Sequence, residues 1–141
     1  MCLAKITKKV ETGDKIKSMT GYKVVGVSRN GDLKPYYYAE RYTYVVGETV
    51  TDLHEDEDDY IIKGKDVKYE PGFHVFKYLK DARLDGKGKS CDYCIIKVKG
   101  SDIQVIGEQK IHVSDGYGGM EVRNVSCFVC KTMKIESVIK N

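Results

Sequence analysis

The feature that most constrains this chain is a recurrence of short runs of β-branched and aromatic residues, each closed by a glycine-, asparagine- or aspartate-containing break. Side chains of this kind fit a pleated, half-buried surface, and several such runs in series predict a sheet or small barrel. Residues 23–27 lead into Asn30-Gly31, a dipeptide that favours a type I′ hairpin because both central residues of that turn take positive φ. The second arm, 33–46, carries Tyr36, Tyr37, Tyr38, Tyr42, Tyr44, Val45 and Val46, with Pro35 marking a strand start or an edge. Residues 47–59 are poor in apolar side chains and read as an exposed loop. Further strands are expected at 60–62, 91–98, 103–106, 111–113, 122–129 and 133–139. Only 75–84 has helical spacing, with Val75, Phe76, Leu79 and Ala82 on one side, Lys77, Lys80 and Asp81 largely on the other, and Asp85-Gly86-Lys87-Gly88 as terminator. The expected architecture is α+β: a single β-rich domain over 1–141, mainly antiparallel sheet or small barrel, with one main helix at about 75–84.

Composition bounds what this fold can serve. With 41% hydrophobic and 32% charged residues the chain belongs to the globular class. Charged residues interrupt every apolar run, so no membrane-spanning helix is expected, and residues 1–9 lack the apolar core of a signal peptide. A net charge of +3, from 24 basic and 21 acidic residues, does not demand a nucleic-acid partner. The acidic run 55–59 lacks the glycine and distal Glu of a calcium loop. Phosphate-loop and nucleophile-elbow motifs are absent. The expectation is a soluble, cytoplasmic protein.

The sharpest chemical pattern is a pair of C-x-x-C motifs, Cys91/Cys94 and Cys127/Cys130, with Cys2 apart from both. Four thiolates satisfy a tetrahedral zinc ion when each pair sits on a tight turn. Both pairs instead adjoin strand-like sequence, Ile95-Ile96-Lys97-Val98 and Phe128-Val129, where residues i and i+3 point to opposite faces. Inert core thiols are therefore the first reading and a zinc site the second; a disulfide framework ranks below both.

The 11 tyrosines offer ring faces and hydroxyls, and Tyr36, Tyr38, Tyr42 and Tyr44 with Arg41 form a candidate platform for an anionic, nucleotide-like ligand. Cross-strand aromatic packing explains the same residues. His54 and His112 read as structural. His74, inside Pro71-Gly72-Phe73-His74-Val75-Phe76, is kept as a candidate pocket residue because strand alternation turns it away from Phe73 and Val75.

Gly21-Tyr22-Lys23-Val24-Val25, Tyr44-Val45-Val46-Gly47-Glu48 and the Pro71–Phe76 motif together resemble a group of small phage-type proteins without assigned chemistry, over about residues 20–110. That resemblance implies a viral accessory protein. A fainter similarity is to the ADP-ribosyltransferase fold, through Gly72-Phe73-His74-Val75-Phe76, Ala82, residues 94–98 and Glu121; it implies an NAD-using enzyme with Glu121 activating the acceptor and His74 in the site. Tyr22-Lys23 stands where that family places a His or Arg. The leading expectation is a non-catalytic binding protein that engages a host protein or sequesters a small anionic ligand, with no membrane partner and no cofactor. The alternatives are the NAD-using enzyme and a zinc-stabilised nucleic-acid-binding module.

Overall fold

The computed structural model describes residues 5–9, 18–35, 43–52, 60–61, 68–69, 72–88, 92–114 and 116–139. The strands are β1 (Lys5–Lys9), β2 (Ser18–Val27), β3 (Leu33–Lys34), β4 (Thr49–Thr51), β5 (Tyr60–Ile61), β6 (Lys68–Tyr69), β7 (Phe73–Phe76), β8 (Tyr93–Ser114) and β9 (Met120–Ile139). The single helix among the described residues is α1 (Leu79–Lys87). The fold is β-rich and antiparallel throughout, as the recurrence of strand-forming runs predicts.

Two long strands organise it. β8 and β9 pair from Ile95↔Ile139 to Ser114↔Met120. On the outer side of β8 lie β2, from Ser18↔Ser101 to Gly26↔Tyr93, and then β1, reaching Glu108. On the outer side of β9 lie β7, from Phe73↔Cys130 to Phe76↔Cys127, and then β4, opposite Thr132–Lys134. A pairing of β2 with β7 at Tyr22↔Phe76 joins the two flanks, so hydrogen-bonded neighbours run in a circuit β8, β2, β7, β9 and back to β8. β5 and β6 pair only with each other among the described strands.

Strand alternation divides the apolar side chains between two clusters. One holds Val25, Phe73, Val75, Ile96, Val98, Phe128, Cys130, Met133 and Ile135. The other holds Val24, Phe76, Ile95, Ile111 and Val125 and is covered by Ala82 of α1, with Leu79 and Leu84 beside it. Phe128 is fully buried in the first cluster, and glycines make room around its ring. A Cβ on Gly21 would lie 2.6 Å from the Phe76 carbonyl oxygen and 2.9 Å from the Phe128 ring; one on Gly100 would lie 2.7 Å from that ring and 2.8 Å from Cys130 Sγ.

Several local expectations are corrected. Residues 93–98 of the predicted strand 91–98 and the predicted strands 103–106 and 111–113 are parts of one strand, as are 122–129 and 133–139, while Cys91 lies outside the described residues. Gly100 and Gly107 lie inside the ladder, whose register shifts between Lys97 and Val98 and again between Ile103 and Val105, next to Asp102 with its φ of 53°. The helix begins at Leu79 because Val75 and Phe76 are held in β7 by their pairing with Phe128 and Cys127. Asp81, expected on the solvent side, is buried in the first turn, where the helix dipole favours a carboxylate. The hairpin after β2 exists, but only Gly31 takes positive φ, at 87°. Gly31 N donates to Ser28 O, and Ser28 N to Asp32 O, the pattern of a type I turn followed by a glycine bulge. Thr49–Thr51, expected in a loop, is an edge strand because Val50 packs on the core opposite Met133.

Gly100→Ala is expected to destabilise the protein by about 1–3 kcal/mol through overpacking against Phe128. At Gly26 the nearest atom to an added Cβ is 3.5 Å away, so Gly26→Ala is expected to be close to neutral. Urea unfolding of the two variants beside the parent chain checks the contrast.

Candidate functional site

The described part of the tyrosine platform is Tyr44, which is buried in the core and bridged to Leu33; Tyr36, Tyr38, Arg41 and Tyr42 lie outside the described residues. Its ring is spent on packing. His74 pairs with Val129 in β7 and shares a strand face with Phe76, as alternation requires. Its imidazole is pushed down to about 3 by burial first and by the positive charge of Lys23 second, against a hydrogen bond to the Gly72 backbone that favours the charged form. Lys23 Nζ donates to the His74 carbonyl oxygen at 2.9 Å, where β2 and β7 have no further paired residues beyond Tyr22↔Phe76.

Of the cysteines, Cys91 lies outside the described residues and Cys94, Cys127 and Cys130 carry free thiols. Cys127 pairs with Phe76 and Cys130 with Phe73 in an unshifted ladder between β7 and β9, so the two point to opposite faces of β9. Burial pushes both thiols up to about 12, and raises that of the half-buried Cys94. No group of three or more His, Cys, Asp or Glu among the described residues is placed to hold a metal ion.

Glu121 and His74 are not brought together. Glu121 is eight positions along β9 from Val129, the partner of His74, a separation of roughly 26 Å along an extended strand. Glu121 is instead exposed and ion-paired with Arg123 at 3.2 Å.

That pair belongs to the surface sequence reasoning missed. Beyond Glu108, the partner of Lys5, and Ser126, which accepts from Lys77 N, no described strand flanks the hairpin, and among the described residues β8 and β9 continue as a two-stranded arm. One face of the arm, Ile111, Val113 and Val125, is covered from the α1 side. The opposite face carries Lys110, His112, Ser114, Met120, Val122 and Asn124, all exposed. Met120 and Val122 keep 62% and 51% of their surface open, and Tyr117 at the tip keeps 95%. The tip is a loop whose Gly116 and Gly118 take φ of 83° and 86°, and Ser114 Oγ accepts a hydrogen bond from Gly116 N. At the root of the arm, burial raises the carboxyl of Asp81 against the positive charge of Lys80 and Arg123. The sequence signal was present in Met120-Glu121-Val122-Arg123, where apolar and charged residues alternate.

No family model matches the chain, and no curated protein or solved structure matches it. No described helix is long and apolar enough to cross a membrane.

Two measurements check the electrostatics. An imidazole whose value falls on folding binds its proton more readily in the unfolded chain, so its contribution is complete above pH 6.5 and is lost as pH falls towards 3. Within that window stability is expected to drop by up to about 1.4 kcal/mol per pH unit. Unfolding experiments at pH 7, 6 and 5 should show a shallower slope for His74→Gln; equal slopes would contradict the assignment. Iodoacetamide at pH 8 is expected to leave Cys127 and Cys130 unmodified in the native protein and to alkylate them after unfolding, as read by peptide mass.

Proposed function

We propose that this chain is a non-catalytic binding protein that engages another protein through the open face of the β8–β9 arm. The observation that carries this reading is the grouping of Met120 and Val122 on one exposed face, with Tyr117 at the tip, while the opposite face of the same arm packs Ile111 and Val125 into the core. Exposed methionine and aromatic side chains rimmed by Lys110, His112 and Asn124 have the composition of a protein interface. The resemblance to small phage-type proteins makes a host protein the partner sought. A cytoplasmic setting suits free thiols at Cys94, Cys127 and Cys130. The circuit of paired strands supports reading the fold as a small closed barrel with α1 packed outside it, an α+β arrangement within one domain.

Immobilised protein, parent and His112→Asp/Met120→Asp, incubated with host lysate tests this. A protein partner held by the parent and retained at least tenfold less by the variant is the expected outcome. Equal retention by both would remove the arm face from the binding surface, and a nucleotide co-purifying in native mass spectra would favour the small-ligand reading instead.

A further inference from the structure

The arm has an edge as well as a face. β7 pairs with β9 from Cys127 to Cys130, and Lys77 N donates to Ser126 O at 3.0 Å. In an antiparallel strand the N–H and C=O of one residue point the same way and alternate along the chain. Ser126 faces outward, so Asn124, Val122 and Met120 also present their backbone groups outward, while Glu121, Arg123 and Val125 bond inward to β8. No described strand pairs with this edge. Exposed edges of this kind are templates for another strand.

We infer that two copies of this chain join through the outer edge of β9, antiparallel about a two-fold axis at Val122. The charge pattern selects both the occupant and the register. With the axis at Val122, Glu121 of each copy stands opposite Arg123 of the other, and Met120 stands opposite Asn124. Glu121 and Arg123 are exposed and on one face, so both pairs form at once. They occupy non-hydrogen-bonded positions, where side chains across a ladder come closest. Val122 faces its own counterpart, and the outward amides of Met120, Val122 and Asn124 each meet an outward carbonyl. Moving the axis one residue either way sets Glu121 against Glu121 or Arg123 against Arg123, which like-charge repulsion opposes. The product is a continuous four-stranded ribbon, β8-β9-β9-β8, in which the open faces of the two arms become one surface. This pairing stands whether or not the open face binds another protein.

Sedimentation velocity over a range of concentrations tests the inference. The parent chain is expected to show a concentration-dependent monomer–dimer equilibrium. Glu121→Arg and Arg123→Glu, each replacing two attractive pairs with two repulsive ones, are expected to weaken the dimer about tenfold or more. The double swap Glu121→Arg/Arg123→Glu restores the opposite-charge pairing and is expected to return the dimer to within about threefold of the parent. Val122→Pro removes an outward N–H that the isolated arm does not use, so it should keep the fold and abolish the dimer. Circular dichroism and melting of every variant verify the fold. A parent chain that stays monomeric at its solubility limit overturns the inference. So does a folded Val122→Pro variant that dimerises like the parent, or a folded double swap no stronger than either single charge variant.

Discussion

The structure depends on one constraint: the backbone hydrogen bonds of β8 must be met by β9 over almost the whole length of both strands. A strand of 22 residues, extended at about 3.3 Å each, would run roughly 70 Å if straight. It instead departs from regular geometry at Asp102 and at the register shifts flanking Gly100, which lets the pair bend while the ladder continues. The other strands of the larger sheet attach to this hairpin or, in the case of β3, to a strand that does. Phe128 shows why small residues are needed there. Its ring is fully buried, and both Gly21 of β2 and Gly100 of β8 approach it at distances that exclude a Cβ.

Much of this was legible in the sequence. Alternation of β-branched residues gave the β-rich class, Asn30-Gly31 placed a hairpin, and the spacing of Leu79 and Ala82 with the glycines at 86 and 88 located a helix. The errors share a physical origin, since a glycine reads the same in sequence whether it turns the chain or admits a neighbour. Gly100 is of the second kind, so one strand was expected as several. The helix start was misplaced because Val75 and Phe76 satisfy helical and strand periodicity alike, and only the long-range pairing with Phe128 and Cys127 decides between them.

The candidate site was less legible than the fold. Tyr44 and Cys130 drew attention through their chemistry, and both are enclosed among apolar side chains. His74 is likewise kept neutral by its surroundings. Met120, Val122 and Tyr117 instead stand out by their exposure. Their significance comes from position: the hairpin outruns the described neighbouring strands, and beyond that point Ile111, Val113 and Val125 pack on the α1 side while Met120 and Val122 face solvent. Sequence periodicity locates such alternation but not the place where flanking strands stop.

β8 and β9 form one ladder that passes through Gly107 and continues as the arm. Cross-strand nuclear Overhauser effects between Hα protons test it directly, because non-hydrogen-bonded antiparallel pairs bring their Cα atoms to about 4.5 Å. Strong Hα–Hα contacts are expected between Lys110 and Asn124 and between His112 and Val122, in register with those at Glu108 and Ser126. Absence of the first two, with residues 107–110 showing the short sequential contacts of a turn, would contradict it.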